Sequence, residues 1–217
     1  MTQITYQEMV RKLGKDGKNI LESLTPEKVH IWHMASCIMG EVGELIEGYD
    51  QKGMRNENFA EELGDIEFYL EGARDGLSIT LDQVETCTIH EFNPMTYPID
   101  GLVVESGNIF DAVKKWFIYE QEVDFGKLLG AMKRFEFYMR IVRQHANLTR
   151  EQVLEANMAK LAKRYGPDYS YSNAAARSRP DKNPLHPQRR VIGGEPVIGG
   201  VLDEVSGHVL PEKWKSR

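Results

Sequence analysis

The sequence has few of the features that mark secreted, membrane-spanning or nucleic-acid-binding proteins. Its two cysteines, Cys37 and Cys87, form no C-x-x-C pair, so we expect neither a disulfide framework nor structural zinc. No apolar run approaches the roughly 20 residues of a membrane span, and the N-terminal MTQITYQEMVRKLG lacks the apolar segment of a secretion signal. We therefore expect a reduced, cytoplasmic protein with no membrane partner.

Basic residues are also too few for a polyanion partner. The chain carries 27 lysines and arginines against 33 acidic residues, a net charge of −6. A nucleic-acid polymer needs a basic surface to neutralise its phosphates, so the composition argues against one. Hydrophobic residues make up 41% and charged residues 28%, which is ordinary for a globular protein.

Helical periodicity dominates what is present, and no convincing strand precedes residue 166. Thr25-Pro26 predicts a helix start, with threonine as N-cap and proline at the first helical position. Thr80-Leu81-Asp82-Gln83 and Thr149-Arg150-Glu151-Gln152 are capping boxes. The predicted helices cover about 26–52, 57–75, a short segment from 81, 105–121, 124–146 and 150–165, with prolines interrupting at 94 and 98.

A long internal repeat organises these helices. Residues 65–84 align with 134–153 at a constant offset of 69, and 41–47 align more weakly with 105–111. We therefore predict an all-α fold with a four-helix-bundle core built from two repeated units, an intrachain pseudo-dimer. The predicted divisions are 1–100, 101–170, and a polar, proline-rich linker and irregular tail over 171–217.

Four carboxylates lie beside the predicted interface between the first two long helices. Glu41 and Glu44 are three residues apart, as are Glu62 and Asp65, so each pair shares a helix face bordering the apolar arc. Ionised together, they would repel one another and lose hydration, which a hard divalent cation relieves. Oxygen ligands suit Mg²⁺, with Mn²⁺ as the alternative.

These acids have other interpretations. The simplest alternative is solvated surface charge, and we assign Glu61 to that class. A ferritin-like di-metal site requires Glu-x-x-His pairs, and none of these four acids belongs to one. The glycines Gly40, Gly43 and Gly64 flank the acids, and close helix approach or room for a ligand explains their presence.

The segments HMASCIMGEVGELIEGY and FAEELGDIEFYL, with the later ANMAKLAKRYGPDY, resemble the MazG-like all-α nucleoside triphosphate pyrophosphohydrolase superfamily over about residues 30–170. The resemblance implies Mg²⁺ held by the four acids and water attack on the α-phosphorus, which releases pyrophosphate. The substrate would be an NTP or dNTP, and the role pool sanitation or precursor control. It also implies substrate-binding residues, namely His33, Asn157, Lys160, Lys163, Arg164 and Tyr165.

The second repeat departs from this pattern. Where the first has Glu44, Glu62 and Asp65, the second has the residues Asn108, Ala131 and Arg134, and only Glu105 keeps an acid. We predict one composite site per chain, with metal ligands from the first repeat and phosphate donors from the second. Arg134 has three interpretations: pairing with an acid, facing phosphate, or lying on the surface.

Several alternatives stay open at this stage. Trp32, Trp116, Phe117 and Tyr119 could stack on a base, although aromatics at helical spacing are more often core. A dUTPase-like or phosphoribosyl-ATP-hydrolysing activity fits the same motifs, and a catalytically silent helical binding module is the alternative from another class. The sequence leaves homo-oligomerisation and base preference open.

Overall fold

Helices supply all the regular secondary structure of the described residues, which are 4–52, 57–86 and 97–165 of a computed structural model. The side chains of 49–52 and 57–58 fall outside this description, as does the predicted tail over 171–217. The predicted all-α class is confirmed. In chain order the helices are α1 (Tyr6–Leu13), α2 (Gly17–Glu22), α3 (Pro26–Lys52), α4 (Glu57–Leu77), α5 (Leu81–Glu85), α6 (Pro98–Tyr119), α7 (Phe125–Ala146) and α8 (Arg150–Tyr165).

The predicted helix starts rest on the capping groups that the sequence offers. Thr25 Oγ1 accepts a hydrogen bond from the Lys28 amide at 3.3 Å, at the start of α3. The Thr149 amide donates to Gln152 Oε1 at 2.9 Å, and the Gln152 amide donates back to Thr149 Oγ1 at 3.2 Å. These bonds satisfy amides that have no partner inside the helix, so α3 and α8 begin where predicted.

Two helix boundaries differ from prediction, and two helices were not predicted. Helix α6 begins at Pro98, seven residues before the predicted start, because proline is compatible with the first helical position that it occupies here. Helix α4 continues through Gly76 and ends at Leu77, where Ser78 takes a left-handed conformation with φ 55°. Helices α1 and α2 were not predicted, and a capping box between Thr5 and Glu8 starts the first of them.

The core lies between the four long helices. Helix α3 packs against both α4 and α6, and α6 packs against α7. The largest fully buried side chains all come from these four helices, which explains why their apolar arcs recur at helical spacing. They are Ile38, Leu45, Phe59, Leu63, Ile66, Leu70, Leu102, Ile109, Leu128, Met132, Phe135 and Met139.

The third helix of each repeat packs on the other repeat. Helix α5 contacts α7, and α8 contacts α4. The corresponding turns also match, because Ser78 and Asn147, 69 residues apart, are both left-handed, at φ 55° and 58°. Each is followed by an amide that bonds back five residues at 2.9 Å, Ile79 to Arg74 and Leu148 to Arg143. The repeat is thus visible in local geometry, while the intrachain pseudo-dimer stays an interpretation.

A buried ion network joins the repeats. Arg143 donates to Glu67 Oε1 at 2.5 Å and to Glu136 Oε1 at 2.8 Å, and all three side chains are buried. Arg150 donates to the other Glu67 oxygen at 3.0 Å. Because buried charges are tolerated only when paired, this network fixes α4 against α7 and the start of α8. All described residues belong to one compact unit.

Crossing a bilayer requires a helix that is both long and apolar. No helix of the described residues meets that requirement.

Candidate metal and phosphate site

Helices α3 and α4 bring three of the four predicted carboxylates together. One oxygen each from Glu41, Glu62 and Asp65 lies within 4.8 Å of the others, and all three residues are partly buried. The grouping follows from the packing, since Val42 and Leu63 beside them are fully enclosed in the core. This is the oxygen-rich arrangement that a divalent cation binds.

Glu44 completes the acidic surroundings without joining that group. It lies one helical turn beyond Glu41 and is near enough for its charge to raise the pKa of Glu41 and of Glu62. The four predicted acids therefore share one electrostatic environment, with three at ligand spacing.

Desolvation governs the protonation of this cluster. Burial, together with the charges of Glu44, Asp65 and Glu41, raises the pKa of Glu62 to about 8. Burial and the charges of Asp65 and Glu44 raise the pKa of Glu41 to about 7. At neutral pH the metal-free cluster therefore retains protons, because full ionisation would leave too much negative charge with too little water. A cation with a double positive charge removes that restraint, so the residues fit Mg²⁺ or Mn²⁺.

Helix α8 places cationic and amide groups against the same acids. Asp65 Oδ1 accepts hydrogen bonds from Asn157 Nδ2 at 2.9 Å and from Lys160 Nζ at 2.5 Å. Asn157 is buried, and the Lys160 side chain is only 11% exposed. The first repeat's acids and the second repeat's donors thus meet at one carboxylate.

Glu61 was predicted to be solvated surface charge, and that prediction was wrong. It is partly buried and accepts a hydrogen bond from Arg164 at 2.7 Å, with Lys160 Nζ at 3.5 Å. Glu61 and Asp65 are four residues apart on α4, as Lys160 and Arg164 are on α8. The two helices therefore meet through two neighbouring ion pairs, Asp65 with Lys160 and Glu61 with Arg164. That shared spacing is the sequence signal that was missed.

Packing explains one of the three flanking glycines. A Cβ on Gly64 would lie 2.8 Å from the Cβ of Asn157, so only glycine allows α8 this close to α4. Gly40 and Gly43 are exposed, and nothing lies within 4 Å of a Cβ built on either. The structure gives no packing reason for these two glycines.

The remaining predicted substrate residues are His33, Lys163 and Tyr165. His33 is exposed, and its ring contacts Tyr69 edge-on at 6.1 Å. Tyr69 also hydrogen-bonds Cys37, and burial raises the pKa of the tyrosine above its usual range. Lys163 is exposed, and Tyr165, at the end of α8, is partly buried.

At the corresponding position in the second repeat, other residues of that repeat neutralise the carboxylate of Glu105. Arg134 donates twice to Glu105, at 2.8 Å and 3.0 Å, and Asn108 Nδ2 donates to the same carboxylate at 3.0 Å. Of the interpretations left open for Arg134, the structure supports pairing with an acid.

Trp32 and Phe117, two of the aromatic residues considered for base stacking, pack between helices. Trp32 stacks on Phe117 at 5.1 Å and contacts Phe110 at 6.3 Å, between α3 and α6. Trp32 and Glu41 are nine residues apart, about 180° around α3 at roughly 100° per residue. The core interpretation of Trp32 and Phe117 is therefore favoured over base stacking.

Comparison with known proteins returned no family model, curated protein or solved structure that matches the chain. What the site does must be argued from its geometry and chemistry.

Proposed function

We propose that this chain hydrolyses nucleoside triphosphates, NTPs or dNTPs, to the monophosphate and pyrophosphate in a Mg²⁺-dependent reaction. The observation that carries the proposal is the meeting of opposite charges at Asp65. Three carboxylates at ligand spacing occupy one side, and Lys160 with Asn157 occupies the other. A metal–triphosphate complex would be complementary to this arrangement. Its cation needs acidic ligands, and its phosphates need hydrogen-bond donors.

The acids have the chemistry to hold the ion. Glu41, Glu62 and Asp65 would bind Mg²⁺, with Glu44 close by, and Mn²⁺ is the alternative. When bound, the ion supplies positive charge that screens the phosphate oxygens and makes a neighbouring water more acidic. The raised pKa values of Glu41 and Glu62 indicate that the cluster is poorly neutralised by the protein itself.

Helix α8 has the chemistry to hold the phosphates. Lys160 and Arg164 share one face, and both approach α4 through acids of that helix. Charge-assisted bonds from such groups stabilise the charge that develops on a leaving pyrophosphate. In this proposal the chain belongs to the MazG-like superfamily and acts in nucleotide-pool sanitation or precursor control in the cytoplasm.

The test is pyrophosphate release from each common NTP and dNTP, dUTP and modified nucleotides, with and without Mg²⁺. We expect release only with the metal, and loss of release in Glu62→Gln. Glu155→Gln, which removes an exposed acid of α8, is the matched control and should turn over normally. A folded sample that releases no pyrophosphate from any nucleotide would favour the silent binding module instead.

A further inference from the structure

The Lys160 ammonium already bonds one oxygen of Asp65, which belongs to the acid cluster. Its Nζ lies 2.5 Å from Asp65 Oδ1, and that oxygen also accepts from Asn157. We propose that Lys160 is an intramolecular counter-ion, which neutralises Asp65 in the metal-free protein and is displaced when a divalent cation binds. This inference rests on the proposed function, because it assumes that Glu41, Glu62 and Asp65 are the ligands.

The two cations compete because they depend on the same charge. An oxygen ligand lies about 2.1 Å from Mg²⁺, so an ammonium hydrogen-bonded to the same carboxylate would sit within a few ångströms of the ion. Repulsion between the two is strong in a partly buried site, where screening by water is weak. Asp65 cannot serve both fully.

Lys160 has a second acceptor within reach. Glu61 Oε1 lies 3.5 Å from Nζ, on the same face of α4 as Asp65. Meanwhile Arg164 keeps its own bond to Glu61 at 2.7 Å, and Asn157 is buried against Gly64. The lysine side chain can therefore leave Asp65 by rotation while α8 stays docked on α4.

Displacement also gives the lysine its second role. Once the cation has taken Asp65, the ammonium is directed to the next strongest acceptor, and phosphate oxygens carry the greatest negative charge that enters this site. The lysine would thus bind triphosphate strongly only when the metal is present, which couples metal occupancy to substrate binding. Lys160 is a positioning residue for the ion as well as a contact for the substrate.

Mn²⁺ binding without nucleotide tests the competition, measured by calorimetry and by the electron paramagnetic resonance of free Mn²⁺. We expect Lys160→Met to bind Mn²⁺ about tenfold more tightly than the wild type, since one charge-assisted bond no longer opposes it. Lys160→Arg, which keeps the counter-ion, should bind as the wild type does. Lys12→Met makes the same charge change on an exposed side chain of α1 and should change the affinity less than twofold.

The outcomes separate this inference from the proposed function. Unchanged or weaker Mn²⁺ binding in Lys160→Met, with the wild type binding normally, would overturn the counter-ion role and leave the metal site standing. No Mn²⁺ binding by the wild type would overturn both. If Lys160 had only a structural role, Lys160→Met would lower the stability of the protein without raising its affinity for the metal.

A second measurement needs no variant, in case Lys160→Met does not fold. Reductive methylation followed by mass spectrometry reports the reactivity of each lysine in the wild type. We expect Mg²⁺ to speed methylation of Lys160 severalfold relative to Lys163, because the ammonium leaves a partly buried ion pair. A Lys160 rate that is unchanged or slower with Mg²⁺ would show that the bond to Asp65 persists, and the proposal would fail.

Discussion

The two repeats have charged residues at corresponding positions but differ in how far the protein neutralises them. In the first, Glu41 and Glu62 stay close to Asp65, and their pKa values rise to about 7 and about 8. In the second, Arg134 binds Glu105 through two bonds, and the local charge is neutralised by the protein. The same helical arrangement thus carries an unbalanced acid cluster on one side and a finished ion pair on the other.

This difference shows where the fold tolerates electrostatic cost. Under the proposed function, the first repeat has to remain under-neutralised in order to receive a cation, at a cost to the stability of the metal-free protein. The second repeat has no such restraint, so an acid there can be exchanged for a partner of opposite sign. Comparing corresponding positions in the two repeats therefore separates functional charge from structural charge.

The largest effect is expected where the repeats meet, at the corresponding acids Glu67 and Glu136. Both Glu67 oxygens accept from arginines, whereas Glu136 Oε2 is buried with no hydrogen-bond partner in the described structure. Glu67→Gln should therefore lower the free energy of unfolding by about 3–5 kcal/mol, the cost of breaking a buried pair. Glu136→Gln should lower it by about 1 kcal/mol or less, since burial already raises the pKa of Glu136. Urea denaturation measures both, and equal losses would contradict the asymmetry.

The next comparison is catalytic and uses the corresponding acids Glu41 and Glu105. Glu41→Gln should reduce Mg²⁺-dependent pyrophosphate release by about 100-fold or more, because the substitution removes a metal ligand. Glu105→Gln should leave turnover within about threefold, since its carboxylate only balances Arg134. Equal losses would mean that Glu105 itself takes part in the chemistry.

A smaller effect is expected in the pH dependence of metal-free stability. Because the folded-state pKa values of Glu41 and Glu62 are raised, the folded protein binds more protons than the unfolded chain between about pH 4.5 and 8. Stability contributed by the protonated forms is therefore present below that window and lost as pH rises through it. We expect the melting temperature to fall by several degrees from pH 5 to pH 8, at roughly 2–4 °C per kcal/mol for a chain of this size.

Scanning calorimetry with and without Mg²⁺ checks this expectation. The ion should reduce the loss at pH 8, and Glu41→Gln should flatten the metal-free profile, whereas Glu105→Gln should not. Glu136, whose pKa burial also raises, leaves a residual slope in every variant. A metal-free melting temperature that rises from pH 5 to pH 8 would contradict the raised pKa values.

The smallest effect is expected at two corresponding glycines to which we assign no function. It tests whether the two repeats respond alike to the same substitution. Gly43 and Gly107 occupy corresponding positions of α3 and α6, and nothing lies within 4 Å of a Cβ built on either. Replacing either with alanine should raise the free energy of unfolding by about 0.5–1 kcal/mol, because alanine favours the helix. Thermal melts of both variants measure the gain. A loss of stability in the Gly43 variant alone would contradict the open surroundings of that position.

Local patterns predicted most of the helices because the relevant forces are local. Threonine caps fix the starts of α3 and α8, and the 3.6-residue spacing of apolar residues fixes which faces are buried. The acid pairs were predictable for the same reason, since residues three apart on a helix must share a face. The short α1 and α2 were missed because they bury no residue and so carry no core-facing pattern.

Partnerships across the chain could not be predicted in this way. Arg143 and Glu67 are 76 residues apart, and Arg164 and Glu61 are 103 apart. The matching four-residue spacings on α4 and α8 allow the pair between Glu61 and Arg164, but no local pattern shows that these two helices pack together. The repeat alignment did show that Glu67 and Glu136 correspond, yet it gave no sign that a single arginine would join them.

The docking of α8 on α4 has a consequence for how the chain is made. Asp65 leaves the ribosome 95 residues before Lys160, which at about 5–20 residues per second is a delay of about 5–20 s. During that interval Asp65 exists without the ammonium that pairs with it in the finished protein. The nascent first repeat is therefore exposed to ambient Mg²⁺ before Lys160 of the second repeat has been synthesised, and α8, the last helix of the described residues, brings that lysine to Asp65.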